Sequence, residues 1–168
     1  MNIQEAKKIT HSLIDTFNKA SKVSLDLRKV GLKTEIKLDN TPVSNGDIEV
    51  NKILKNEILK ITPNIAIVSE ENSNHKNDIG LRDFWLIDPI DGTKEYINDR
   101  DEFTLNAALI LNKRPVIGII TAPAKKRLFY SYGLSNSYEL VNNKKIKLIN
   151  KKKNYDGLIA VSYSSKLK

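Results

Sequence analysis

The densest chemistry in the sequence lies in the run Trp85-Leu86-Ile87-Asp88-Pro89-Ile90-Asp91-Gly92-Thr93. Asp88 and Asp91 stand on either side of a proline that is expected to stop the preceding strand, so two carboxylates and the Ile90 carbonyl can be aimed at one point. That donor set is hard and all-oxygen, suited to Mg2+ rather than to zinc or copper. Gly92 lets the backbone approach a ligand closely, and Thr93 opens a short helix whose free N–H groups and positive dipole end favour a phosphate. Upstream, Glu70 and Glu71 follow a short apolar run. If that run and the one before Asp88 are neighbouring strands pointing the same way, three or four carboxylates reach one sheet edge. Like charges packed there repel and raise one another's pKa, which calls for a cation. Each feature taken singly is also what a capped turn or a solvated strand end looks like, so the residues alone leave both readings open.

The elements that must position these groups follow from periodicity. Ile3, Ala6, Ile9, Leu13, Phe17, Ala20, Val23 and Leu27 recur at helical spacing and predict one amphipathic helix ending near Gly31. Residues 34–38 are expected to be extended and to lead into the turn Asp39-Asn40-Thr41-Pro42. A second helix is expected over 47–61, with Ile48, Ile53, Leu54, Ile58 and Ile61 as its apolar positions. Strands are expected at 65–69 and 84–87, a polar loop over 72–80, and a short helix over 93–97. Runs at 103–111, 116–121 and 127–132 are separated by turns at 112–115 and 123–126, and weaker strands at 137–141 and 145–149 complete an antiparallel meander. Helices first and strands after them make an α+β domain, two long helices packed on a mainly antiparallel sheet.

Composition narrows the chemistry further. The 168 residues contain no Cys, which excludes a disulfide framework, a thiolate zinc site and a Cys nucleophile. A formal charge of +8 invites a nucleic-acid reading, but its distribution argues otherwise. Residues 142–168 carry eight Lys and one Asp, whereas residues 70–102 carry ten acids and four bases. The excess is therefore a basic end on a near-neutral body with an acidic middle. Lys151-Lys152-Lys153 reads as a solvated turn, His11 and His75 as surface residues without metal-spaced partners, and Trp85 as core. No apolar run approaches the ~18 residues of a membrane span.

The same residues carry a resemblance. Trp85 to Thr93, continued by Lys94-Glu95-Tyr96, resembles the metal-binding signature of the inositol monophosphatase superfamily. Ile67-Val68-Ser69-Glu70-Glu71 is similar to its upstream glutamate motif, residues 37–47 to its amino-terminal signature, and Glu102-Phe103-Thr104-Leu105-Asn106 to its following strand. Within the superfamily, Thr-Lys-Glu-Tyr and Asp-Asn-Thr-Pro-Val look most like the CysQ-type 3′(2′),5′-bisphosphate nucleotidases. The resemblance implies an inositol-monophosphatase-like sugar phosphatase fold. It also implies that Glu70, Asp88, the Ile90 carbonyl and Asp91 hold Mg2+, with Asp88 and Asp91 shared with a second ion. Gly92 and Thr93 would bind the scissile phosphate, with Glu70, Ile90 and Asp91 contributing to the substrate site through the metal. Asp47, hydrogen-bonded to Thr93 and aided by Glu70, would orient and deprotonate the attacking water.

The implied reaction is conversion of 3′-phosphoadenosine 5′-phosphate to AMP and phosphate, a by-product step of sulfate assimilation, with lithium inhibition expected. Inositol or sugar phosphates are the alternative substrates, and an inactive fragment or a basic nucleic-acid-binding module the alternatives of another class. The expected partner is a small phosphorylated nucleotide, with no nucleic acid and no integral membrane segment. A homodimer and peripheral attachment to the inner membrane stay open for an otherwise cytoplasmic protein. The family's Trp-Asp-x-Ala motif has no counterpart in the chain. Residues 1–155 are thus expected to form an amino-terminal metal- and phosphate-binding domain, and 156–168 the first strand of a truncated second one. Gly46 stands where the family usually has Ala, which is expected to loosen the start of the second helix.

Overall fold

The computed structural model of the chain describes residues 1–38, 40–71, 80–142 and 144–149. Helix α1 (Ile3–Val30) is opened by Asn2, whose side chain accepts from the Gln4 and Glu5 amides while the Glu5 carboxylate accepts from the Asn2 amide, and it closes at Gly31 with φ 105°. Its buried seam is Ala6, Thr10, Leu13, Phe17, Ala20 and Ser24, so Ile3, Ile9, Val23 and Leu27 lie beside the seam rather than on it. Small hydroxyl residues replace the expected aliphatic ones because they bond locally: Thr10 Oγ1 donates to the Ala6 carbonyl at 2.7 Å and Ser24 Oγ to that of Ser21 at 2.8 Å.

A short hairpin follows, β1 (Thr34–Ile36) against β2 (Pro42–Ser44), the latter not expected as a strand. Helix α2 (Asn45–Ile61) starts two residues earlier than expected and buries Gly46, Asp47, Val50, Leu54 and Ile58. Ile48 is instead 55% exposed, because the seam is set by the cap at Ser44.

The sheet has the order β3 (Ala66–Ser69), β4 (Phe84–Asp91), β5 (Thr104–Leu111), β6 (Arg114–Ala122), β7 (Arg127–Tyr132), β8 (Ser137–Val141) and β9 (Lys144–Lys147). Among the described strands of this sheet the β3–β4 pair alone is parallel; the rest is an antiparallel meander. Asn112 and Lys113, at φ 50° and 62°, form a two-residue hairpin turn, so Arg114 and Pro115 belong to β6 rather than to the turn. Pro115 is tolerated because β6 pairs with β7 only from Ile117 onward. Helix α3 (Thr93–Ile97) links β4 to β5, and a 3-10 turn over Pro123–Lys125 links β6 to β7.

Helices α1 and α2 cover one face of this sheet. Leu13, Phe17, Leu54, Ile58, Trp85, Ile87, Leu105, Leu109 and Ile117 are sealed between the layers, each contributing about 1.5–3 kcal/mol by its burial. Trp85 is core, its Nε1 donating to Thr62 Oγ1 at 3.0 Å. On the opposite face Leu86 and Ile120 are 47% and 46% exposed. Among the described residues no helix is long and apolar enough to cross a membrane. Asp39, His75, Lys151 to Lys153, most of the loop expected over 72–80 and the strand expected within 156–168, with the domain boundary at 155, lie outside the described residues.

Gly46 has a different role from the one expected. A Cβ there would lie 2.5 Å from the Tyr96 hydroxyl oxygen, and Tyr96 is fully buried with that hydroxyl donating to the Ser24 carbonyl at 2.7 Å. Ala is the better helix former by ~1 kcal/mol, yet overpacking a fixed ring costs about 1–3 kcal/mol. Gly46→Ala should therefore lower stability in urea unfolding, and adding Tyr96→Phe should return part of the loss; a Gly46→Ala chain as stable as the parent contradicts the close approach.

Candidate functional site

Asp88 and Asp91 are three residues apart, and in a regular strand they would face opposite sides of the sheet. They do not, because β4 continues through Pro89 instead of stopping there and carries a bulge. Asp88 pairs with Asn106 and Asp91 with Thr104, so three steps on β4 match two on β5. Pro89 and Ile90 are consecutively buried, which spends the extra residue and returns Asp91 to the outer side with Asp88. Proline suits a bulge because the ladder there asks for no N–H. The parallel register Ser69↔Ile87, extended by the Glu70 amide donating to the Ile87 carbonyl at 3.1 Å, sets Glu70 beside Asp88.

The turn after Asp91 is built by contact. Gly92 has φ 94°, and a Cβ would sit 2.7 Å from the Glu102 carbonyl oxygen, so only glycine fits. Thr93 Oγ1 lies 3.1 Å from Asp47 Oδ1 and 3.0 Å from the Ile90 carbonyl, and can donate its one proton to either. Asp47 Oδ2 accepts from both the amide and the hydroxyl of Ser44, at 2.8 and 2.6 Å, as part of the α2 capping box. Asp47 is thus buried with Oδ2 held by Ser44 and Oδ1 within reach of Thr93, joining the start of α2 to the start of α3.

The charges explain the rest. Burial, the charges of Glu70 and Asp91, a hydrogen bond to Glu70 and the charge of Asp47 together push the Asp88 carboxyl up to about 7. Lys37, quoted in a motif but given no role by sequence reasoning, enters this cluster. Its Nζ is 2.7 Å from Glu71 Oε1 and 3.9 Å from Glu70 Oε1. Burial works against that ammonium, but the Glu71 hydrogen bond and the charges of Glu71, Glu70 and Asp47 outweigh it and hold its pKa above the ordinary lysine value. Asn106 is the second missed residue, its Nδ2 donating to Asp91 Oδ2 at 3.3 Å. Its signal was available: an amide in the middle of an otherwise apolar strand. Lys37 had no such signal, being one of many lysines. His11 stands edge-on to Tyr130 and Tyr132 at 5.8 and 5.9 Å.

Among the described residues no three carboxylate or imidazole side chains close on a common point. Glu71 is drawn to Lys37 and Asp91 to Asn106, so the acids line an edge rather than enclose a volume. The donor chemistry nevertheless fits a hard cation. Asp88 Oδ1 and Asn106 Oδ1 are buried oxygens without a hydrogen-bond partner, flanked by acids that repel one another.

The raised Asp88 value has a definite sign. Below the ordinary carboxylate value of about 4, folded and unfolded chains are both protonated at this residue; between there and about pH 7 the unfolded chain ionises first. Stability of the metal-free chain should fall across that window, by about 2 kcal/mol once solvent screening of a half-buried group is allowed for. In Asp88→Asn this component is gone. Urea unfolding in chelator measures it, and a parent-minus-variant difference that stays flat between about pH 4 and about pH 8 would refute the assignment.

Comparison with known proteins identifies the family and the fold. The model of the inositol monophosphatase family matches residues 4–167. The 3′(2′),5′-bisphosphate nucleotidase CysQ of Aggregatibacter actinomycetemcomitans is 33% identical over 148 residues, covering 83% of this chain and 54% of its own. The crystal structure of CysQ from Bacteroides thetaiotaomicron superposes with a TM-score of 0.61 at 28% identity, covering 86% of this chain and 52% of that one. An IMPase/NADP phosphatase complexed with Mg2+ and phosphate shares the fold at a TM-score of 0.67 and 18% identity, over 82% of this chain and 51% of its own. The chain spans about half the length of these relatives. With the family match running over nearly its full length and the α+β fold shared with solved relatives, the chain belongs to the inositol monophosphatase family.

Proposed function

We propose that this chain carries the metal- and phosphate-binding part of a Mg2+-dependent phosphomonoesterase that converts 3′-phosphoadenosine 5′-phosphate to AMP and phosphate. The observation that carries the reading is the β4 bulge, which sets Asp88 and Asp91 side by side next to Glu70, one residue before a glycine turn. The name of the Aggregatibacter relative supports the substrate, and the Mg2+ and phosphate held by the IMPase/NADP phosphatase support the cofactor.

Glu70, Asp88, Asp91 and the Ile90 carbonyl would hold Mg2+, with Asp88 and Asp91 reaching a second ion. When bound, the metal neutralises phosphate charge and lowers the pKa of water. The remaining work falls to the chain's own groups. Gly92, having no side chain, lets the phosphate reach the backbone of the turn. The Thr93 hydroxyl proton is directed to Asp47 or to the Ile90 carbonyl, so its oxygen lone pairs are available to the attacking water. A proton taken from that water passes through Thr93 Oγ1 to Asp47 Oδ1, while Ser44 keeps Asp47 from turning away. Asn106 fixes the rotamer of Asp91, and Lys37 restrains Glu71 and Glu70.

The test is phosphate release from 3′-phosphoadenosine 5′-phosphate against inositol 1-phosphate, with and without Mg2+, alongside calorimetric Mg2+ titration. Asp91→Asn should weaken Mg2+ binding and turnover together by more than the ~10–100-fold typical of residues one shell further out. Asp91 is exposed and its charge repels Asp88, so neutralising it should not lower the stability of the metal-free chain by more than about 0.5 kcal/mol. Retained Mg2+-dependent release in Asp91→Asn, or faster release from the inositol ester in the parent, counts against the reading.

A further inference from the structure

Arg28 lies in the last turn of α1, yet its side chain is only 14% exposed. Each of its three guanidinium nitrogens has a partner. Nη1 donates to the Arg100 carbonyl at 2.6 Å, Nη2 to Asp101 Oδ1 at 3.1 Å, and Nε lies 3.1 Å from Asp99 Oδ1. Its Cζ also lies 5.3 Å from the centroid of the Phe103 ring. Asp99 is 85% exposed, so that ion pair adds little; the Arg100 carbonyl, Asp101 and the stacked ring are the contacts with weight.

What this fork holds is the segment from α3 to β5, and that segment is the wall against which the Gly92 turn is folded. The Gly92 Cβ position lies 2.7 Å from the Glu102 carbonyl oxygen and 3.3 Å from the Phe103 Cα, and the Phe103 ring packs 4.8 Å from that of Tyr96 in α3. A shift of Glu102 and Phe103 therefore moves Gly92, and with it Thr93 and the hydrogen bond to Asp47. Lys125 also reaches Asp101 and Glu102, at 3.7 Å each, but from the half-exposed surface as a single point charge.

We infer that Arg28 is a positioning residue for the Gly92–Thr93 turn, acting through Arg100 to Phe103 without touching a ligand. Its effect on phosphate rests on the function proposed above; its effect on the turn does not. The test uses the full chain in three forms, parent, Arg28→Lys and Arg28→Met. Lysine keeps the charge but cannot bridge the Arg100 carbonyl, Asp101 and Asp99 together. Amide hydrogen exchange over residues 92–103 should quicken about 5-fold or more in both variants, with residues 117–120 of β6 unchanged. Inorganic phosphate titrated in the presence of Mg2+ should bind about 10-fold more weakly in both, at unchanged Mg2+ affinity. Unchanged exchange at 92–103, a uniform rise that includes 117–120, or an Arg28→Lys chain that behaves as the parent overturns the inference. Should the parent itself fail to bind phosphate, the proposed function falls while the exchange comparison still decides the role of Arg28.

Discussion

The arrangement of the acids depends on one irregularity, the extra residue in β4 opposite β5. Strand geometry alternates sides, and two carboxylates that share a side but stand three residues apart contradict that alternation. The bulge resolves the conflict by burying Pro89 and Ile90 in succession, and the same step presents Asp91 next to the turn that Gly92 makes. Everything that follows is placed by it: α3 begins where the bulge ends, Thr93 reaches back to Asp47, and Asp47 is held by the cap of α2.

A cluster of acids at the end of a parallel strand pair is an electrostatic cost that the fold must carry. Part is met by proton uptake at Asp88 and part by Lys37, which draws Glu71 away from the centre. The remainder is tolerated because the strands bearing the acids are anchored on their other side by Trp85, Ile87 and the α2 seam. A cation at the same edge would replace both devices, which makes Lys37 and the Asp88 proton two reporters of one imbalance.

Much of this was legible in the sequence, and the exceptions share a cause. Helix α3 and strands β7 and β8 fall where local alternation and turn residues predict them, because their bounds are set by neighbours in the chain. The extension of β4 past Pro89 is a product of pairing with β5, some fifteen residues downstream, and a proline read locally argues for a stop. The backbone carbonyl of Ser24 on the α1 seam accepts from the hydroxyl of Tyr96, 72 residues away, a contact that no local pattern announces. Gly46 likewise looks like a weakened helix start until the Tyr96 ring is seen against it. The candidate residues were legible because two carboxylates, a glycine and a threonine fall close together behind an apolar run. Lys37 and Arg28 were not, since nothing in a run of basic residues marks which one turns inward.

The alternation along β4 also interleaves stability with chemistry one residue at a time. Trp85 and Ile87 face the helices and are buried, while Leu86 and Asp88 face the other way. Truncating Ile87 removes contacts from the sealed layer, at a cost of about 2–5 kcal/mol. Replacing its neighbour Asp88 by the neutral amide removes a repulsion instead and leaves that layer untouched. The row that starts at Asp88 continues across the sheet through Asn106 and Ile120, so the acids and the exposed apolar positions share one face. The helix side of the sheet therefore determines whether the chain folds, and the outer side what it can hold. The bulge is where the two requirements meet, since moving Asp91 outward takes an extra buried residue on the inner side.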